Sequence, residues 1–314
     1  MKILTLLKNK GIGIIIIIMI LYIGIIFYSD ITKISEIFFE IKYEFIGIIL
    51  SLELTSFTIR AYRQKKFLES SDIKLPFWTN FKICLAGMSM VVTPGGVGML
   101  IKSHFLEKKF GIPISKTAPM VFAERYHDFL ALTTILIFSL IITFSIEAAI
   151  SASIALFLLI VVYIIFTNKN WLEKLQSKIL KMKFVKNSFP NDFDITESVN
   201  SLKTRKLMIF GWIISTTLWS IDALAVYFSF VAFNLDIGFF ESIQIFFSSL
   251  IYGTISFLPA GIGVTEGVFI GLLLANDLEL PIAASLVLFI RLTTIWFITF
   301  LGFVALKFLI NRKQ

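Results

Sequence analysis

Two proline–glycine clusters cut into sequence that is otherwise apolar enough to cross a bilayer. The first, Thr93-Pro94-Gly95-Gly96-Val97-Gly98, interrupts 78–110, and the second, Leu258-Pro259-Ala260-Gly261-Ile262-Gly263, interrupts 237–275. Proline removes a backbone donor and consecutive glycines favour irregular turns, so neither segment is expected to form one continuous helix. Around them stand six uninterrupted apolar runs, 11–28, 43–62, 129–146, 148–167, 207–233 and 282–310. Each is long enough to span a hydrocarbon core of about 30 Å. Backbone polar groups in hydrocarbon must be satisfied internally, which makes these runs helices.

Composition agrees. Of 314 residues, 57% are hydrophobic and 16% charged, with a mean hydropathy of +0.88. A soluble domain carries about 25% charged residues, so a soluble enzyme is excluded and 1–314 reads as a single polytopic membrane domain. Cys84 is the lone cysteine, which rules out an internal disulfide. Together with two histidines it leaves too few ligands for a His/Cys metal centre. No nucleotide-binding, kinase or hydrolase motif occurs. No cofactor, ATP site or enzymatic activity is therefore expected. Lys2, Lys8 and Lys10 precede the first run, which is longer than a signal-peptide core and lacks a small-x-small site, so it reads as an uncleaved span.

The net charge of +8 reports sidedness rather than nucleic-acid binding. With the N-terminus cytoplasmic, the segments 1–10, 60–77, 102–116, 168–206 and 307–314, with Lys82, hold 25 of the 29 basic residues. The opposite side holds Lys33 and Lys42 among nine acids. Arg63, Lys65 and Lys66 precede the first interrupted segment and Lys108 and Lys109 follow it, whereas Asp236 and Asp277 bracket the second. Each segment then reads as a re-entrant helical hairpin, the two dipping in from opposite faces. A kinked helix that crosses fully is the alternative, and it would put Lys108 outside. Both termini are placed in the cytoplasm, at the cell membrane, and the basic loop 168–206 is laid on an anionic membrane face.

The interrupted segments also resemble each other at an offset of 165 residues. Pro113 and Pro281 follow them, and Arg125 and Arg291 come next in the following apolar helix. The chain therefore divides into halves of about 43–146 and 207–310 with opposite orientation. Inverted repeats of this kind are built by transporters, whose substrate site lies between the halves. The return helices are expected to start near Met99 and Val264, so that their free N–H groups point at the break. A helix N-terminus favours phosphate or carboxylate, which makes the backbone of Gly95, Gly96, Gly98, Gly261 and Gly263 a candidate anion cradle.

Several side chains join that cradle. Arg125 and Arg291 either hold an anionic headgroup, which a guanidinium does bidentately, or pair with Glu124, Asp128, Asp222 or Glu53. Lys102 either reaches a phosphate or snorkels to the interface. Glu266, in the first turn after Gly263, either caps the return helix or handles substrate or protons. Asp222, alone in the middle of its run, is a proton-coupling carboxylate or an arginine partner. Glu53 and Arg60 are two turns apart on one face, with Arg60 placed at the cytoplasmic interface. His104 and His127 read as polar packing residues. Gly263, Gly267 and Gly271 make a smooth stripe for close helix contact.

The motif blocks Thr93–Gly98, Lys102, Ala123-Glu124-Arg125, Leu258 to Gly267 and Arg291 resemble the lysylphosphatidylglycerol synthase transmembrane region, a flippase-like membrane family, over nearly the whole chain. The resemblance implies a polytopic protein that moves a lipid-linked anionic headgroup, on aminoacylated phosphatidylglycerol or a polyprenyl-phosphate-linked sugar. Met99 stands where the family carries an acidic or small residue. The aminoacyl-transferase domain of the full synthases is absent, so lipid synthesis by this chain is not expected. The reading is thus an all-α integral membrane protein with about six full spans and two opposed hairpins, acting as a lipid flippase. Alternatives are a proton-coupled transporter of a small soluble anion and a non-transporting membrane partner of a lipid-modifying glycosyltransferase. A homo-oligomer is compatible with each.

Overall fold

The computed structural model describes residues 29–93, 98–168 and 204–311, with 20, 22–24, 170, 171 and 174. Among the described residues the chain is all-helical, with no strand. Five helical stretches are long and apolar enough to cross a membrane: Glu44–Glu69, Ile114–Ile142, Ile146–Ile165, Arg205–Ala232 and Leu280–Asn311. They correspond to five of the six apolar runs. The sixth, 11–28, lies outside the described residues except for Ile20 and Tyr22–Gly24, which are helical. Most of the basic loop 168–206 also lies outside them, as do Pro94, Gly95, Gly96 and Val97 of the first cluster.

A short helix, α1 (Ile31–Phe39), precedes the spans. Asp30 caps it by accepting from Thr32 N at 3.2 Å, and the Thr32 hydrogen bonds hold this exposed carboxyl below its usual range. The long helices α2 (Glu44–Glu69) and α7 (Arg205–Ala232) pack along their length. They run antiparallel: Lys42 N bonds to Ala232 O at 3.0 Å at one end, and Arg63 reaches Ser215 further along.

Helix α5 (Ile114–Ile142) starts at Ile114 rather than at the apolar run beginning with Phe129. Its polar first half is buried between helices, where burial replaces hydropathy as the reason for helix. Helix α6 (Ile146–Thr167) packs against α5 through Ala148, Ala152, Ala155 and Leu159, spaced three and four apart. Its opposite face exposes Ile150, Phe157, Ile160 and Ile164, a face suited to lipid.

Each proline–glycine cluster separates two helices, as the sequence predicts. The first lies between α3 (Phe77–Met88) and α4 (Ile101–Phe110), and Thr93 Oγ1 accepts from Gly98 N at 2.7 Å across it. The second lies between α8 (Phe239–Ile255) and α9 (Val264–Ala275). There the chain makes one tight 3₁₀ turn, Pro259–Gly261, with Ala260, Gly261 and Gly263 at φ of 53°, 68° and 88°. Gly261 is required: a Cβ would stand 2.5 Å from Thr265 Oγ1 and 3.1 Å from Gly253 Cα.

The last span is α10 (Leu280–Arg291) and α11 (Phe297–Asn311), joined through a π-helical turn at Leu292–Trp296. Helix α3 packs on α11, and α8 packs on α5. The α3–α11 approach is at backbone distance, since a Cβ on Gly302 would lie 2.7 Å from Leu85 O and Ser89 N.

One expectation fails. The spacing of Gly263, Gly267 and Gly271 predicts a stripe for close helix contact, but a Cβ at Gly267 or Gly271 would meet nothing within 4 Å. The 12-residue α9 buries Phe269 and Leu273 instead. Those aromatic and aliphatic side chains offer more apolar area than glycines do, so they turn toward the core and the glycines turn out.

Candidate functional site

The helices converge on two buried ionic clusters. In the first, α2 presents Arg60 and Arg63, α5 presents Asp128, and α7 presents Ser215, Trp219 and Asp222. Arg60 Nη1 lies 3.1 Å from Asp128 Oδ2, and its Nη2 lies 3.6 Å from Asp222 Oδ2. Arg63 Nη1 donates to Asp128 Oδ1 at 2.7 Å and also to Ser215 Oγ. Trp219 Nε1 donates to Asp128 Oδ1 at 3.1 Å, and the Arg60 guanidinium sits 5.3 Å from the Trp219 ring centre. Arg125 Nη2 approaches Asp128 Oδ2 at 2.7 Å. Three guanidiniums therefore crowd one carboxylate, and buried donors are left over: Arg63 Nε, Arg63 Nη2 and Arg125 Nε have no partner among the described residues. The Arg125 side chain is still 40% exposed.

Lys102, on α4, extends this cluster by pairing with Glu124 on α5, each side chain 1% exposed. Its stem passes over Gly87 of α3, where a Cβ would stand 2.6 Å from Lys102 Cγ. The glycine is what lets a lysine bury there.

The second cluster lies at the other break. Arg291 Nε donates to Glu266 Oε1 at 2.7 Å, and Arg291 Nη2 donates to Ala260 O at 2.8 Å. Glu266 Oε2 accepts from Gly263 N at 2.7 Å, so this carboxylate also caps α9. Tyr22 OH donates to Glu266 Oε1 at 3.1 Å and accepts from Trp296 Nε1 at 2.8 Å.

The structure thus separates the two arginines that stand at matching places in the sequence pattern. Arg291 is 3% exposed and stitches the break itself, whereas Arg125 turns to Asp128 and Glu124 takes its place toward the broken segment. Gly98 is bonded to Thr93, and Gly261 and Gly263 shape the second turn; Gly95 and Gly96 fall outside the described residues. Asp222 and Glu53 are buried, each with one oxygen unpartnered among the described residues. Met99 is 2% exposed in an apolar cluster with Met90 and Leu106. His127 is buried, its Nδ1 2.7 Å from Ala123 O. A cavity of about 370 Å³ lies at the base of the α8–α9 pair, between Thr143, Glu241, Gln244 and Asn276, away from the tip.

Three cations depart from the sequence reading. Arg60, placed at the cytoplasmic interface, is 9% exposed; Arg63 and Lys102, tallied with the cytoplasmic charges, are 0% and 1% exposed. The carboxylates Asp128 and Glu124 supply the compensation that burial demands; both come from α5, Asp128 68 and 65 residues from Arg60 and Arg63 and Glu124 22 residues from Lys102. The sequence holds one clue to this: Arg60 and Arg63 sit three apart in one helix, a spacing that puts both on one face. Nothing comparable announces Ser215, Trp219 or Gly87.

A family model for the lysylphosphatidylglycerol synthase transmembrane region matches residues 12–302. The chain belongs to this family. Within it the chain is similar to the UPF0104 membrane protein PH1989 of Pyrococcus horikoshii, 24% identical over 92% of this chain and 93% of that one. It is likewise similar to the UPF0104 membrane protein MJ1595 of Methanocaldococcus jannaschii, 26% identical over 98% of both chains. The ionic clusters described above therefore belong to a multi-pass membrane protein of the synthase transmembrane-region family.

Proposed function

We propose that this chain is a flippase, carrying a phosphate-bearing lipid headgroup across the membrane rather than catalysing a reaction. The observation that carries the reading is the surplus of cationic donors around Asp128. A single carboxylate cannot satisfy Arg60, Arg63 and Arg125 together, and Arg125 leaves two-fifths of its side chain open. A planar guanidinium that is half-paired and half-open is suited to bidentate binding of phosphate. The cargo is a phospholipid or a polyprenyl-phosphate-linked sugar, and a glycosyltransferase or other lipid-modifying enzyme is the natural supplier or user of it.

The reading includes a topology of six spans, two re-entrant hairpins entering from opposite faces, an inverted repeat and cytoplasmic termini at the cell membrane. The exchange of packing supports it. Each broken segment lays its first helix on the final span of the other half, α3 on α11 and α8 on α5, while α2 and α7 pair antiparallel. Halves related by inversion produce such exchange.

The test is headgroup translocation in proteoliposomes. Arg125→Ala removes charge-assisted hydrogen bonds worth about 1.5–3 kcal/mol, so translocation should fall roughly tenfold or more. The fold should survive, because Asp128 keeps Arg60 and Arg63. Undiminished translocation by this variant sinks the reading. Co-purified phosphate lipid above its bulk share favours a lipid cargo over a small soluble anion.

A further inference from the structure

Glu53 takes no part in the anion site just described. It lies inside α2, 6% exposed, and its Oε1 has no hydrogen-bond partner among the described residues. Asp222 on α7 is 8% exposed and its Oδ1 is equally without one, while Oδ2 faces Arg60. The antiparallel register brings the two carboxyls to one level. Counted from the Lys42–Ala232 hydrogen bond at about 1.5 Å per residue, both lie about 15 Å along the helix pair. Asp222 and Arg60 are the charges that act on Glu53.

Two carboxylates sharing a buried site resist ionising together, and an unpaired buried charge costs several kcal/mol. One proton taken from water relieves both, because a neutral Glu53 carboxyl leaves Asp222 as the single negative charge of the pair. Every element packed against α2 bears on the balance. Asp222 comes from α7; Glu124, Arg125 and Asp128 come from α5; Cys84 comes from α3; and Arg291, at the end of α10, is taken by Glu266. With Glu53 protonated, Arg60, Arg63, Arg125 and Lys102 stand against Asp128, Asp222 and Glu124, leaving one positive charge in the cluster. With Glu53 ionised the cluster is neutral.

We propose that the Glu53–Asp222 pair is a proton site whose occupancy switches the neighbouring cluster between a state that holds an anion and one that releases it. The proposal rests on the anion-transport reading above and supplies what that reading lacks, a driving force. Proton and phosphate headgroup bind together, so a proton gradient drives the cargo. The linkage is reciprocal: anion binding raises proton affinity by the same factor as the proton raises anion affinity.

The experiment uses the full chain in detergent, weakly buffered, with a pH-indicating dye and dihexanoyl phosphatidylglycerol as probe. The wild type should take up about one proton per lipid bound, and its affinity should weaken about tenfold per pH unit above the titration of the pair. Glu53→Gln, which keeps the side-chain shape, should take up none and bind with a flat pH profile, whatever its affinity. Asp222→Asn should flatten the profile as well, which guards against a misfolded single variant. Lipid binding by the wild type without proton uptake, or a Glu53→Gln profile like that of the wild type, overturns the proposal. So does binding that requires sodium and vanishes in choline. If the lipid binds at no pH, the flippase reading fails, and the same titration with inorganic phosphate reads the proton site by the same criteria. Binding of neither probe overturns both.

Discussion

In the first broken segment the buried cation sits on the helix after the break and its carboxylate on the next helix, Lys102 to Glu124. In the second the carboxylate sits on the helix after the break and the cation on the next helix, Glu266 to Arg291. Both solutions neutralise a charge in a low-dielectric interior, yet their consequences for the breaks differ. Glu266 lies in the first turn of α9, accepts from Gly263 N, and leaves Arg291 free to hold Ala260 O. The second break is thereby closed electrically, with the positive end of its helix covered by a carboxylate. At the 165-residue offset the counterpart of Glu266 is Ile101, which covers nothing. Helix α4 therefore has no acid in its own first turn, where Lys102 stands instead and is paired by Glu124 from α5. Under the proposed function, the first half holds the anion and the second half is the rigid mate.

The largest effect expected from this contrast is at Glu266. Its replacement by Ala leaves Arg291, 3% exposed, without its ion partner, a loss of about 3–5 kcal/mol. It also removes a helix cap worth about 1 kcal/mol. Thermal unfolding of the purified variant reads the sum. A fall in stability no greater than that of Glu124→Ala would mean that Glu266 does one job, not two.

Glu124→Ala comes next. It strands Lys102 as a lone buried charge, again about 3–5 kcal/mol, without any cap to lose. The two pairs should part company when both members become apolar. Lys102→Met with Glu124→Leu should recover most of the stability, because a buried pair replaced by packed apolar side chains is often neutral. Arg291→Met with Glu266→Leu should not recover, because Ala260 O and Gly263 N lose their partners. Equal recovery in the two doubles would erase the distinction drawn between the breaks.

Much of the frame was legible in the residues. The spans followed from apolar length, and both breaks followed from Pro94 and Pro259 with their glycines. The start of α9 at Val264 and the family resemblance were also readable. The site was less so. Hydropathy treats Arg60, Arg63 and Lys102 as water-seeking and so counts them with the cytoplasmic charges and the interface. Their burial depends on carboxylates that a single sequence places only by separation along the chain. Likewise Arg125 and Arg291 occupy matching positions in the pattern, but rotation by one residue on α5 hands the inward direction to Glu124. A pattern of residue types fixes spacing, and it leaves unresolved which of two adjacent side chains faces in.

The smallest effects separate glycines that look alike in the sequence. Gly261→Ala must hold φ near 68° and meets Thr265 Oγ1 at 2.5 Å, with Gly253 Cα behind it. Left-handed strain costs of order 1–3 kcal/mol, and Thr265, β-branched and 1% exposed, has little room to turn aside. Gly267→Ala, six residues on, faces open space in mid-helix. It should gain about 0.5–1 kcal/mol from the lower entropy cost of alanine in a helix. Unfolding temperatures of the two variants should therefore move in opposite directions. A drop at Gly267 would show that the outward glycine stripe is covered in the working protein, by a second copy or by a segment outside the described residues. The second broken segment would then be an interface as well as a brace.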